Sequence, residues 1–124
     1  MAEASAAPRK HLRKPLYIIF SEPVSATTAE QRHAIHPAHL ARQYELEERG
    51  ILFAAGPFVD EAGKPQGPGM IIVRAANEAE ARAIAEADPY HRQGFRKFRI
   101  QKWMLNEGSF GLRLKFSDGS YEID

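Results

Sequence analysis

The chain has no cysteine, which excludes disulfides, thiolate nucleophiles and cysteine-ligated zinc together and leaves thiols silent about the redox compartment. It also lacks any run near the roughly 18 consecutive apolar residues of a membrane-spanning helix, so no membrane partner is expected. An excess of one charge is missing too: 17 lysines and arginines meet 16 aspartates and glutamates, for a formal net charge of +1. Nothing in that balance asks for a polyanionic partner. Residues 1–14 hold Arg9, Lys10, His11, Arg13 and Lys14 without the apolar core of a secretory signal. They read as a disordered, solvated basic tail, and the cytoplasm is the default location. No internal repeat stands out.

What is present is an ordinary globular composition, 44% hydrophobic and 27% charged over 124 residues. That length suits one two-layer core and not two. Residues 15–104 are expected to form that domain, and residues 105–124 an extension to it.

Leu16-Tyr17-Ile18-Ile19-Phe20 is a short apolar, β-branched and aromatic run, which predicts a central strand. Thr27 with Glu30 three positions on reads as a capping box opening a short helix. Pro37 is expected to interrupt that helix and restart it, with good helix formers to Arg49 and a stop at Gly50. Ile51 to Ala55 predicts a second, buried strand. Val59 to Pro68, rich in glycine and proline, predicts a surface loop able to act as a lid, and Met70 to Val73 a third strand antiparallel to the second. Asn77 and Glu80 cap a second helix, which runs to Ala87 and is stopped by Pro89 with Asp88 extended. From Phe95 to Trp103, Phe98 and Ile100 alternate with Lys97, Arg99 and Gln101, the pattern of a strand with one wet face.

The resulting order is βαββαβ, which predicts an α+β, ferredoxin-like fold: an antiparallel sheet of four strands with two helices on one face. The other face needs a cover, and a second copy of the chain supplies it most economically, so a homodimer packed sheet to sheet is expected. Near the C-terminus, Phe110, Leu112, Leu114 and Phe116 alternate with small or basic residues before Asp118-Gly119, then Tyr121 and Ile123. This is a β-hairpin signal, for a hairpin that extends a sheet edge or clasps a partner subunit.

At 100° per residue Leu46 falls close to His39 on the helix, with Gln43 beside both, so His39 points inward. The candidate partner is Asp88, just past the second helix. A carboxylate holding one ring nitrogen fixes the tautomer and leaves the other nitrogen as a base near neutral pH. With no nucleophile assigned beside it, such a pair favours proton transfer: elimination, isomerisation or enolisation of a ring ketone. Tyr90 and His91 follow Asp88 directly and are candidate substrate-binding residues or a second acid. Arg42, one turn from His39, is a candidate partner for an anionic substrate oxygen. Each has a plainer use: His39 and Asp88 as a core tie, Asp88 as acceptor in the Asp-Pro turn, Arg42 as a solvated helix residue, Tyr90 as packing.

His33, His36 and His39 lie at spacings of three, but a break at Pro37 would part them and no acidic ligand sits at a helical offset, so no metal site is expected. Gly63 to Gly69 lacks the lysine-serine ending of a phosphate loop. Arg92, Arg96, Lys97, Arg99 and Lys102 interleave with Phe95, Phe98 and Trp103, yet the run of glycine and aromatics of an RNA-binding sheet is missing. They read as a wet strand face, with no nucleic-acid partner.

Pro37-Ala38-His39-Leu40-Ala41-Arg42, Gly50, Ala54-Ala55-Gly56-Pro57, Ala87-Asp88-Pro89-Tyr90 and Gly94, in this order and spacing, resemble the YciI-like (YCII-related) family over roughly residues 15 to 104. The resemblance implies a ferredoxin-like fold that dimerises as an α/β barrel, with a pocket in which His39 and Asp88 sit together. Most members of that family lack a known activity; one branch is a dehydrochlorinase of chlorinated hydroxyquinols, and the fold is shared with muconolactone isomerase. The chain departs from the pattern at His36, where a relative can carry arginine, and in the added hairpin. The expectation is a lyase or isomerase acting on an unidentified small molecule without a cofactor. The alternative is a non-catalytic ligand-binding or regulatory dimer using the same cleft.

Overall fold

A computed structural model describes residues 11–124. Of the expected basic tail, positions 1–10 lie outside the described residues, while Lys14 already belongs to the first strand, β1 (Lys14–Pro23). Alternation along β1 buries Tyr17, Ile19 and Ser21 on one side, opposite Val73, Ile71 and Gly69 of β3 (Pro65–Val73), to which β1 pairs antiparallel. β2 (Leu52–Val59) pairs antiparallel with the other edge of β3, and β4 (Arg96–Leu105) lies beside β1. The sheet order β2-β3-β1-β4 is the ferredoxin-like one that the element order predicts.

Between β1 and β2 runs α1 (Ala29–Glu48). Its capping box is Thr28 with Gln31, one residue along from the expected Thr27 and Glu30. The Thr28 hydroxyl accepts from the Gln31 backbone N–H at 3.1 Å, and the Gln31 side-chain Oε1 accepts from the Thr28 N–H at 3.0 Å. Pro37 does not restart the helix; it sits inside a single run of 20 residues. Proline removes the donor that the His33 carbonyl would use, but His33 and Pro37 are both exposed, so that carbonyl is not stranded in the core. His33, His36 and His39 therefore share one helix, and the expected separation at Pro37 does not occur.

α2 (Glu78–Glu86) is capped by Asn77, whose side chain accepts from the Glu80 N–H at 2.8 Å. It buries Ala81, Ile84 and Ala85 against Tyr17, Ile19, Ile71 and Val73 of the sheet and Leu46 of α1. A further turn of helix was not anticipated: Asp88 caps α3 (Pro89–Arg92), with proline at its first position. Asp-Pro is itself an N-cap signature, since the missing N–H of proline is one the first turn leaves unpaired.

Two other expectations fail. The strand from Ile51 is not buried; β2 is a sheet edge, exposed from Phe53 to Val59, and only Ile51 and Leu52 pack on the core. The loop from Val59 to Pro68 contracts to a tight turn. The Asp60 carboxylate accepts from the N–H groups of Ala62 and Lys64 at 2.9 Å each, Gly63 supplies a φ of 83°, and both flanks are paired strand, with a register shift between Pro57 and Val59.

The C-terminal residues form the predicted hairpin, β5 (Leu112–Lys115) and β6 (Ser120–Ile123), as a two-stranded sheet of their own with Leu112 opposite Ile123 and Leu114 opposite Tyr121. Gly119, at φ 72°, makes its turn. Residues 15–104 form one compact unit; residues 105–124 belong to another with the described residues before Pro15. Among the described residues, no helix is long and apolar enough to cross a membrane.

Candidate functional site

Helix α1 delivers His36, His39 and Gln43 to a cavity of about 660 Å³ in the 15–104 unit. Helix α3 supplies Tyr90, β1 supplies Ser21, β4 supplies Arg96, and Met70 and Ile71 of β3 add apolar wall. Behind His39 lies Asp88, only 2% exposed. Its Oδ2 is 2.8 Å from His39 Nδ1 and accepts from Gln43 Nε2 at 3.3 Å, while Oδ1 accepts from the Tyr90 N–H at 2.9 Å. Burial alone would raise the pKa of Asp88. The hydrogen bond and charge of His39, then the Tyr90 N–H and the charge of His91, outweigh it and hold the carboxyl below its ordinary 3.8. An ionised carboxylate only accepts, so the hydrogen between the two groups is assigned to His39 Nδ1, which leaves Nε2 as the free ring nitrogen.

Tyr90 is held from several sides. Its ring centroid lies 4.7 Å from that of His39 and 5.6 Å from the Arg96 guanidinium carbon, and its hydroxyl is 2.8 Å from His36 Nδ1. Burial raises its pKa above the usual 10.0; Arg96 works against that rise and Asp88 adds to it. The phenol is therefore protonated at neutral pH. Arg96 is locked by three hydrogen bonds: Nε to Ser21 Oγ at 2.9 Å, and Nη2 to the carbonyls of Ser21 at 3.0 Å and Gly67 at 2.6 Å.

His91 turns away from the cavity. Its Nδ1 lies 2.7 Å from the Ala85 carbonyl and its Nε2 2.8 Å from Ser21 Oγ. A carbonyl only accepts, so Nδ1 carries the hydrogen and Nε2 accepts from the serine hydroxyl. Burial lowers the pKa of His91 below 6.5, which favours this neutral form. Ser21 thus donates to His91 and accepts from a cation, which makes it a link that orients Arg96 and a poor nucleophile.

Of the residues singled out from sequence, His39, Asp88 and Tyr90 come together. Arg42 and His91 do not line the cavity: Arg42 is paired with Glu45 at 3.2 Å, and His91 lies behind Ser21. Sequence reasoning missed His36, Ser21 and Arg96 as site residues. His36 had a signal, one turn before His39, which the supposed break at Pro37 hid. Arg96 had none, because only the pairing of β4 with β1 brings it to Ser21. Among the described residues no group of three or more histidines and carboxylates is arranged to hold a metal ion.

Sheet order and helix placement define a ferredoxin-like α+β domain of the kind that builds dimeric α/β barrels. The profile of the YCII-related domain matches residues 16–104, and the chain belongs to that family. It is 34% identical over 84 residues to Protein YciI of Escherichia coli O6:H1 and of Shigella flexneri, covering 64% of this chain and 85% of each relative. It is also 35% identical over 78 residues to the derivative of benzaldehyde biosynthesis cluster protein C of Emericella nidulans, covering 58% of this chain and 80% of that protein. Among solved structures it resembles the 5-chloro-2-hydroxyhydroquinone dehydrochlorinase of Burkholderia phenoliruptrix in complex with 2,5-dihydroxybenzoquinone. The TM-score is 0.59 at 20% identity, over 71% of this chain and 92% of that one. That likeness establishes a shared fold.

Proposed function

We propose that the cavity is the active site of a small-molecule lyase or isomerase in which His39 is the general base and Asp88 its orienting partner. The observation that carries this reading is the 2.8 Å contact between His39 Nδ1 and a buried carboxylate, on a histidine that lines a cavity of about 660 Å³. Holding Nδ1 fixes the ring and stabilises the imidazolium formed when Nε2 takes a proton, the way a carboxylate makes histidine an effective base.

The walls suit a cyclic hydroxylated substrate: Leu40, Met70 and Ile71 offer apolar contact to a ring, and the Arg96 cation attracts an anionic ring oxygen. In an elimination, His39 Nε2 accepts the proton, the freed electron pair moves into the ring, and a halide leaves with its bonding pair. The net loss is one acid molecule, with no oxidant or reductant. The dehydrochlorinase with the same fold supports a chlorinated hydroxyquinol as the first substrate to try. Ligand-binding without turnover is the competing reading. We also propose that the chain works as a homodimer, because its helices cover one sheet face and leave the other open.

The test is chloride release from chlorinated hydroxyquinols. Wild type should release chloride, and His39→Ala and Asp88→Asn should each lower kcat by roughly 100-fold or more with circular dichroism unchanged. Full activity in His39→Ala would sink the assignment. Quinone binding by wild type without chloride release from any substrate would favour the ligand-binding dimer.

A further inference from the structure

His36 is the cavity residue that the pair of His39 and Asp88 leaves unexplained. Its ring stacks on His39 with centroids 5.8 Å apart and planes 26° from parallel, and its Nδ1 lies 2.8 Å from the Tyr90 hydroxyl. Both His36 and Tyr90 line the cavity. The Tyr90 backbone is anchored on Asp88 and its ring is wedged between His39 and Arg96, so the one freedom left to the phenol is the direction of its hydroxyl hydrogen. His36 decides that direction. If Nδ1 is bare, it accepts the hydroxyl hydrogen and Tyr90 has nothing to offer a ligand. If Nδ1 carries hydrogen, it donates to Tyr90 Oη and the hydroxyl hydrogen is free for the cavity.

We propose that His36 carries its hydrogen on Nδ1 and thereby presents the Tyr90 hydroxyl as a proton donor to a substrate oxygen, beside His39. Tyr90 is then a catalytic acid, and His36 a positioning residue that acts through it. This rests on the acid–base reading of the cavity and extends it to a substrate class: a cyclic hydroxy-ketone or quinol with an exchangeable proton and a carbonyl oxygen on one ring. As His39 Nε2 takes the proton, the electron pair shifts to the carbonyl oxygen and the Tyr90 O–H proton moves to it. An enol, an imidazolium on His39 and a phenolate on Tyr90 result. The Arg96 cation and the His36 N–H stabilise that phenolate, and proton exchange between the two side chains through solvent restores them.

The hydrogen position and the donor role are testable without turnover. Long-range proton–nitrogen spectra should assign the His36 hydrogen to Nδ1 in wild type. Affinity for 2,5-dihydroxybenzoquinone, followed by its visible absorbance, should fall about 10-fold in Tyr90→Phe, the loss expected for one hydrogen bond to an anionic oxygen. In His36→Leu the phenol keeps its hydrogen but loses its orientation, so affinity should fall by less, about 5-fold, and the double variant should fall no further than Tyr90→Phe, because His36 acts only through Tyr90. His36→Gln, whose amide can donate, should stay within about 3-fold of wild type. His36 is exposed, so these changes should leave the fold intact, and circular dichroism checks it. A bare Nδ1, additive losses in the double variant, or wild-type affinity in both single variants would each overturn the proposal. Failure of His39→Ala to stop chloride release would instead strike the base assignment, and these binding and tautomer measurements would still decide the donor.

Discussion

Asp88 accepts three hydrogen bonds while almost fully buried, and His91, three residues further along, is held neutral by a carbonyl and a serine. Both groups make stability fall with acid, in different windows. The folded pKa of His91 is depressed below 6.5, so the unfolded chain binds the proton more readily; His91 contributes fully above pH 6.5 and its contribution is lost as pH falls from there through the folded value. The folded pKa of Asp88 is depressed below 3.8, so its contribution persists until pH falls under that value. Thermal melts between pH 7.5 and 4.5 should therefore show a decline beginning near 6.5 that is visibly shallower in His91→Gln. Equal slopes in the two proteins would remove His91 from the account.

Local signals made most elements legible. The apolar run in β1, the Asn77 cap, the Asp-Gly turn and the alternation in β4 depend on residues within a few positions of one another, and the element order then gave the fold. Helical phase gave His39, and Asp88 followed from the Asp-Pro boundary. What was not legible depended on partners distant in sequence or on exposure. Pro37 is tolerated because it lies on the wet side of α1, the glycine-proline segment becomes strand because β2 is there to pair with it, and Arg96 joins the site only through the sheet. Gly69 shows the dependence on distant partners most sharply. A Cβ there would lie 2.9 Å from the Gly56 carbonyl oxygen and 3.2 Å from Pro57 Cα, both backbone atoms of β2. Gly69→Ala should cost about 1–3 kcal/mol, as overpacking does, measured by urea denaturation, and should weaken ligand binding because Gly56, Pro57 and Gly69 all line the cavity. An unchanged midpoint would mean that β2 shifts freely to admit the methyl group.

At the scale of the molecule the unsolved problem is exposed apolar surface. Along β1 and β3, Ile18, Phe20, Met70 and Ile72, which alternate with the core positions, are only half-buried, although Leu16 on the same side of β1 is fully buried, and the β2 edge exposes Phe53, Phe58 and Val59. The hairpin exposes Leu112, Leu114, Phe116, Tyr121 and Ile123, each by 60% or more, although a two-stranded hairpin is marginal in water without a face to pack on. A chain with this much uncovered apolar area is expected to bury it against a partner, and a second copy offers the same sheet face in return. Light scattering at micromolar concentration should give twice 13.9 kDa. Ile72→Glu, on the open sheet face, should shift the protein toward the monomer while circular dichroism holds. Removing residues 108–124 should weaken the dimer without melting the unit formed by residues 15–104, if the hairpin embraces the partner. A monomeric wild type would defeat the dimer, and a truncated chain that dimerises as tightly as the full one would place the hairpin's apolar faces against something other than a second copy.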